Sequence, residues 1–168
     1  MASNRHLGRI VALQTLYEYD FRFECNDDTL DVKEILERNI ERYSETIEDK
    51  EFIRQLVDQV MVNQKDLDDT IRPIAPEWPI EQIARIDRNI LRMALAELKY
   101  SQSTPPKVVI NEAVELAKSF GGDNSSKFIN GVLGTAYRLI EEADGKKPAA
   151  KPVAKKTADK KPATKSTK

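Results

Sequence analysis

The chain has 168 residues, a formal net charge of −1, 40% hydrophobic and 33% charged residues, room for one domain of ordinary size with a core and a solvated surface. No run approaches the ~20 consecutive apolar residues of a membrane span, and the start, Met1 to Arg5, lacks the apolar stretch of a secretory signal. The single cysteine, Cys25, forms no internal disulfide, so the expectation is a reducing, cytoplasmic setting away from membranes.

The small net charge conceals a division. From Lys146 onward there are nine lysines against one acid, Asp159, which leaves residues 1–145 with 18 basic and 27 acidic residues. An acidic body argues against indiscriminate nucleic-acid binding, because nonspecific affinity comes mainly from neutralising phosphates. A nucleic-acid site in the body must therefore be a local patch or be completed by a basic partner.

In chain order, residues 1–145 read as one helix after another. Apolar spacing predicts a first helix from about Arg5 to Phe23, capped by Ser3 or Asn4 and mostly buried. A second runs from about Val32 to Ser44 and a third from about Asp49 to Thr70. Arg72 to Pro79 holds three prolines and Trp78, so it is a connector; Trp78 is either a plug docked on the body or a ligand-stacking residue. A short helix over Ile80–Ile86 precedes Asp87, read as the cap of Arg88–Tyr100. Pro105-Pro106 opens the next helix, since a first turn tolerates proline. It stops at Phe120 before Gly121-Gly122, residues suited to positive φ. The last helix starts at Asp123-Asn124-Ser125-Ser126 and reaches about Ala143. Beyond Gly145 the chain is Lys, Ala, Pro and Thr, with too little to bury to offset ordering entropy. Residues 146–168 are therefore expected to be a disordered tail, either simply solvating or a polycation that raises affinity for RNA.

Catalytic chemistry finds little support. His6 is the only histidine, which excludes paired-histidine metal motifs, and no phosphate-cradling glycine loop is present. Neither catalytic residues, nor a metal, nor a cofactor is expected. Two places are suited to an anion. One is the amino-terminal helix, where Arg5 and Arg9 share a face beside His6, though two surface arginines also occur without function. The other is the start of the last helix, where Asn124, the Ser125 and Ser126 hydroxyls and Lys127 gather at a positive dipole end. Phe128 beside them either stacks on a base or belongs to the core.

The run Pro106 to Phe120, followed by Lys127-Phe128-Ile129-Asn130-Gly131-Val132-Leu133, closely resembles the NusB family of bacterial transcription antitermination factors. The likeness extends to Ile90-Leu91-Arg92-Met93-Ala94 with Glu97-Leu98, and to Arg5, Arg9, Ala12, Gln14, Leu16 and Tyr17, covering about residues 5–140. It implies an all-α fold of two small packed bundles, about seven helices in all. It also implies single-stranded boxA RNA of ribosomal leader transcripts as ligand, the small-subunit ribosomal protein NusE as partner, and work within the RNA polymerase antitermination complex. By position, the resemblance assigns RNA contact to Arg5, His6, Arg9, Asn124, Lys127 and Phe128, with Arg92 on the neighbouring helix, and a partner surface to Tyr17 and Asp87. Ile110, Ala113, Val114, Ala117 and Phe120 are expected in the core, Asn111 and Asn130 as buried hydrogen-bonding residues, and Gly131 at a close helix approach.

Two departures stand out. Leu7 and Gly8 interrupt the basic amino-terminal segment, and Gly134 stands where the family commonly has Asp, at a cost of roughly 1 kcal/mol against alanine in a helix. Other readings are an accessory module of a ribosomal-RNA methyltransferase and a protein-only helical scaffold. The resemblance leaves the oligomeric state open, with a homodimer through the partner face as one alternative.

Overall fold

The computed structural model describes residues 2–101 and 103–145; the tail expected over 146–168 lies outside the described residues. The described chain forms six α-helices and one 3-10 turn, without a strand: α1 Ala2–Glu24, α2 Val32–Arg42, α3 Lys50–Ile71, α4 Arg85–Tyr100, α5 Pro106–Phe120 and α6 Ser125–Ala143, with the 3-10 turn at Ile80–Gln82. Local chemistry sets several boundaries. The Asp31 carboxylate caps α2 by accepting from the Lys33 N–H (2.8 Å), and Asp49 caps α3 by accepting from Phe52 (3.0 Å). Pro106 occupies the first turn of α5, where no N–H is required.

α1, α2 and α3 form one bundle and α4, α5 and α6 another, with α4 packed against both. A single continuous core runs through them, from Val11, Leu13 and Leu16 through Ile53, Leu56 and Leu67 to Ile90, Leu95, Leu116, Ile129 and Leu133. α4 is the hub: every residue from Asp87 to Glu97 is buried. A helix enclosed on all sides must also enclose its polar residues, and each of these finds at least one partner, although Asp87 Oδ1 and Arg88 Nε have none. The guanidinium of Arg92 makes two bonds to Asp68 on α3 (2.8 and 2.9 Å) and approaches Asp20 on α1 (3.3 Å). Arg9 on α1 makes two to Glu97 (both 2.7 Å).

Several sequence expectations change. α1 already begins at Ala2, so neither Ser3 nor Asn4 is its cap; the Asn4 side chain instead accepts from the Glu48 N–H across the bundle. The Ile80–Ile86 helix shrinks to three residues, and α4 starts at Arg85, which puts Asp87 inside its first turn. Gly121 is extended, with φ −89°. Glycine is needed there for space, because a Cβ would lie 2.5 Å from Ser125 Cβ and 2.7 Å from the Ala117 carbonyl. Gly8 has a similar origin: a methyl group at this position would press on Ile53 and Phe52 at 3.3 Å, so the interruption of the basic segment is where α1 rests on α3. On α5 the buried face is Val109, Ala113, Leu116 and Ala117, with Phe120 44% exposed. Ile110 and Val114 only flank the core. Asn111 and Asn130 are exposed, and no atom approaches Gly131, so their assigned packing roles fall away: α5 and α6 turn these positions to solvent.

Candidate nucleic-acid interface

The start of α6 meets the connector between α3 and α4. Gly121-Gly122 turns the chain sharply enough for the Ser125 hydroxyl to accept from the Gly122 N–H (2.9 Å) while donating to Asp87 Oδ2 on α4 (2.9 Å). This fastens the amino-terminal end of α6 to the first turn of α4. Beside the fastening opens a cleft of about 450 Å³ lined by Trp78, Ile83, Asp87, Asn124 and Phe128 among others. A second hollow of about 420 Å³ lies on the other flank of Trp78 and Phe128, with Lys127 and Pro76. The two aromatic side chains thus stand between adjoining hollows. Trp78 is 55% exposed and so is no buried plug. Phe128 is partly buried, its ring resting on the core.

The polar groups of this groove are unevenly satisfied. Asn124 precedes α6 but its side chain makes no capping bond. Asp87 Oδ2 has the Ser125 hydroxyl, whereas its buried Oδ1 has no partner. Burial raises the Asp87 pKa, against the lowering effect of the Ser125 bond. The groove therefore offers two aromatic faces, a free side-chain amide and one ammonium (Lys127), with the Asp87 carboxylate enclosed in its wall. Flat rings on a phosphate chain fit this set.

The other candidates lie elsewhere. Arg5 stacks over Phe52 (4.8 Å to the ring centre), donates to Ser103 (3.3 Å) and Thr104 (3.2 Å), and stays about one-third exposed. His6 Nδ1 lies 2.7 Å from Glu112 Oε2 on α5. These two cover the early part of α5, whereas the groove lies past its carboxyl end. Arg9 is 3% and Arg92 5% exposed, and both guanidiniums are committed to carboxylates. The geometry gives them a role in joining bundles. Tyr17 and Asp87 also part company. Tyr17 lies on an aromatic face of α1 with Phe21, and both rings sit beneath the Arg85 guanidinium (5.5 and 5.2 Å), while Asp87 faces the groove. Phe21 and Arg85 are the residues that the sequence did not place in a site, whereas Trp78, offered by the sequence either as a plug or as a stacking residue, stands exposed beside the groove. The position of Phe21 near the end of the first predicted helix was the available signal.

Two half-bundles sharing a central helix, with a polar-aromatic groove at a helix start, define an all-helical two-bundle protein. The model of the NusB family matches residues 6–138, and relatives are similar over nearly their whole length: the transcription antitermination protein NusB of Chloroflexus aggregans is 47% identical over 147 residues (86% of this chain, 94% of the relative), and that of Dehalococcoides mccartyi strain CBDB1 43% over 142 (84% and 95%). The chain belongs to the NusB family. Among solved structures, NusB of T. maritima superposes with a TM-score of 0.71 at 32% identity (79% of this chain, 89% of that one). The antitermination factor NusB in a complex with NusE and double-stranded RNA also gives 0.71, at 27% identity (83% and 99%).

Proposed function

We propose that this chain is a transcription antitermination factor that binds boxA RNA of ribosomal leader transcripts together with NusE and promotes read-through by RNA polymerase. The observation that carries this is the groove of Trp78, Asp87, Asn124, Lys127 and Phe128, set in a fold shared with a NusB protein solved with NusE and RNA. In this reading a base stacks on Phe128 or Trp78, the Asn124 amide meets a base edge, and Lys127 meets phosphate. Arg5 and His6 take a second stretch of backbone. Arg9 and Arg92 act from within by holding the bundles in register. Tyr17, Phe21 and Arg85 form the surface for NusE, whose basic character complements the acidic body.

The protein works by assembly, without catalysis, in the cytoplasm, and the helical body 1–145 is the binding unit with 146–168 as an appendage. No helix among the described residues is long and apolar enough to cross a membrane, which is compatible with that setting. The test is binding of a boxA-containing single-stranded RNA and a scrambled control, with and without NusE, by the full chain and by a chain ending at Gly145. Preference for boxA, strengthened by NusE and retained after truncation, is the expected result. Equal binding to both RNAs under all conditions refutes the reading.

A further inference from the structure

The groove and the aromatic face are served by one turn of α4. Arg85 lies over Tyr17 and Phe21, and two residues later Asp87 lines the groove. The next residue, Arg88, is 8% exposed, and its guanidinium reaches in two directions. Towards α1, Nη2 donates to Asp20 Oδ2 (3.2 Å) and Glu24 Oε1 (3.0 Å). Towards the connector, Nη1 donates to the Ile80 carbonyl (3.4 Å), two residues beyond Trp78 and two before Gln82, which lines the groove with Ile83. Glu24 in turn also pairs with Arg85, the residue beneath which Tyr17 and Phe21 sit. The chain of contacts therefore runs from the aromatic face through Arg85, Glu24 and Arg88 to Ile80 and the wall that carries Trp78.

This linkage differs from the neighbouring ion pairs. Arg92 and Arg9 face inward on enclosed carboxylates. Arg88 ties a partly buried carboxylate, Asp20, and a half-exposed one, Glu24, to a backbone carbonyl of the 3-10 turn, and its own Nε is buried without a partner. A guanidinium holds its donors in one rigid plane, so a displacement of the last turn of α1 is passed to the groove wall. We propose that Arg88 is a positioning residue that couples the two surfaces, so that a protein seated on Tyr17 and Phe21 and an RNA seated beside Trp78 strengthen each other's binding. The proposal rests on the RNA and NusE reading above. Coupling of this kind is reciprocal, and typically amounts to roughly 5- to 150-fold.

The test uses the full chain, boxA RNA and a NusE free of tryptophan, with Arg88→Met and Glu24→Gln as variants. Arg88→Met leaves Asp20 with Asn89 and Arg92 as donors, and Glu24→Gln removes only a half-exposed carboxylate. Two readouts apply: the ratio of RNA affinities with and without NusE, and the emission of Trp78, the single tryptophan, when NusE alone is added. Wild type is expected to show enhancement and an emission change. In both variants the ratio should fall several-fold and the emission change should vanish, while RNA affinity without NusE stays within about two-fold of wild type. An undiminished ratio in a folded variant overturns the coupling and leaves the functional reading intact; should Arg88→Met fail to fold, Glu24→Gln decides. A wild type that binds neither RNA nor NusE overturns both.

Discussion

Arg9 and Glu97 face each other across the two bundles through paired contacts of 2.7 Å, with side chains only 4% and 3% exposed. Glu112 stands 3.7 Å from the same guanidinium and also receives His6, so the amino-terminal helix is tied to both α4 and α5. Removing one member leaves a buried charge without a counterion, which typically costs about 3–5 kcal/mol. Arg9→Ala is expected to lower unfolding free energy by that order in denaturant titration. A variant of unchanged stability that loses RNA affinity would return Arg9 to the RNA-facing surface.

The groove residues should behave in the opposite way. Lys127→Ala is expected to weaken boxA binding, to reduce the slope of log affinity against log salt by about 1, and to leave stability nearly unchanged, because the side chain is exposed. Trp78→Ala should lose about 1–3 kcal/mol of binding if a base stacks there. Fluorescence anisotropy at several salt concentrations measures both, and intact affinity in the two variants would remove RNA from this groove.

Asp87 supplies a pH test. Its pKa is raised by burial, so the folded state holds this proton more tightly than the unfolded chain does. The site therefore favours folding at low pH, and that contribution is lost as pH rises from the ordinary Asp value of about 3.9 through the raised folded value. Asp87→Asn cannot ionise, so its stability relative to wild type should improve as pH is raised across that window. Unfolding free energies of both proteins at each end of the window measure the difference; a constant gap would mean that Asp87 titrates as in water.

Two glycines give contrasting expectations. Gly121→Ala places a methyl group against Ser125 and the Ala117 carbonyl, and overpacking of this kind costs typically 1–3 kcal/mol. It should also disturb the Ser125–Asp87 bond and with it the groove. Gly134 lies inside α6 with open space around it, so Gly134→Ala should raise stability by up to about 1 kcal/mol. Thermal unfolding of the pair distinguishes them, and equal shifts would contradict the packing around Gly121.

The periodicity of apolar residues located all six helices, since a helix that must bury one face advertises it every three to four positions. Gly-Gly and Pro-Pro pairs marked both ends of α5 because backbone constraints act locally. The spacing did not separate arginines that bind outward from arginines that bind inward. Arg9 and Arg92 look like any surface cation in a charged helix, yet Arg9 shares the stripe of Ala12, Leu13 and Leu16, and Arg92 lies between Leu91 and Met93. That placement was the only hint of burial.

Composition, helix order and family membership were therefore decided by the sequence itself, because they depend on local propensity and on patterns a few residues long. The tertiary structure alone decided which charges are spent. Glu97 lies 88 residues from Arg9, and Asp68 24 residues from Arg92, and no local rule relates such positions. It also decided that Asp87 belongs with Trp78 and Phe128 while Tyr17 belongs with Arg85, because a shared helical turn can face two surfaces once its neighbours enclose it.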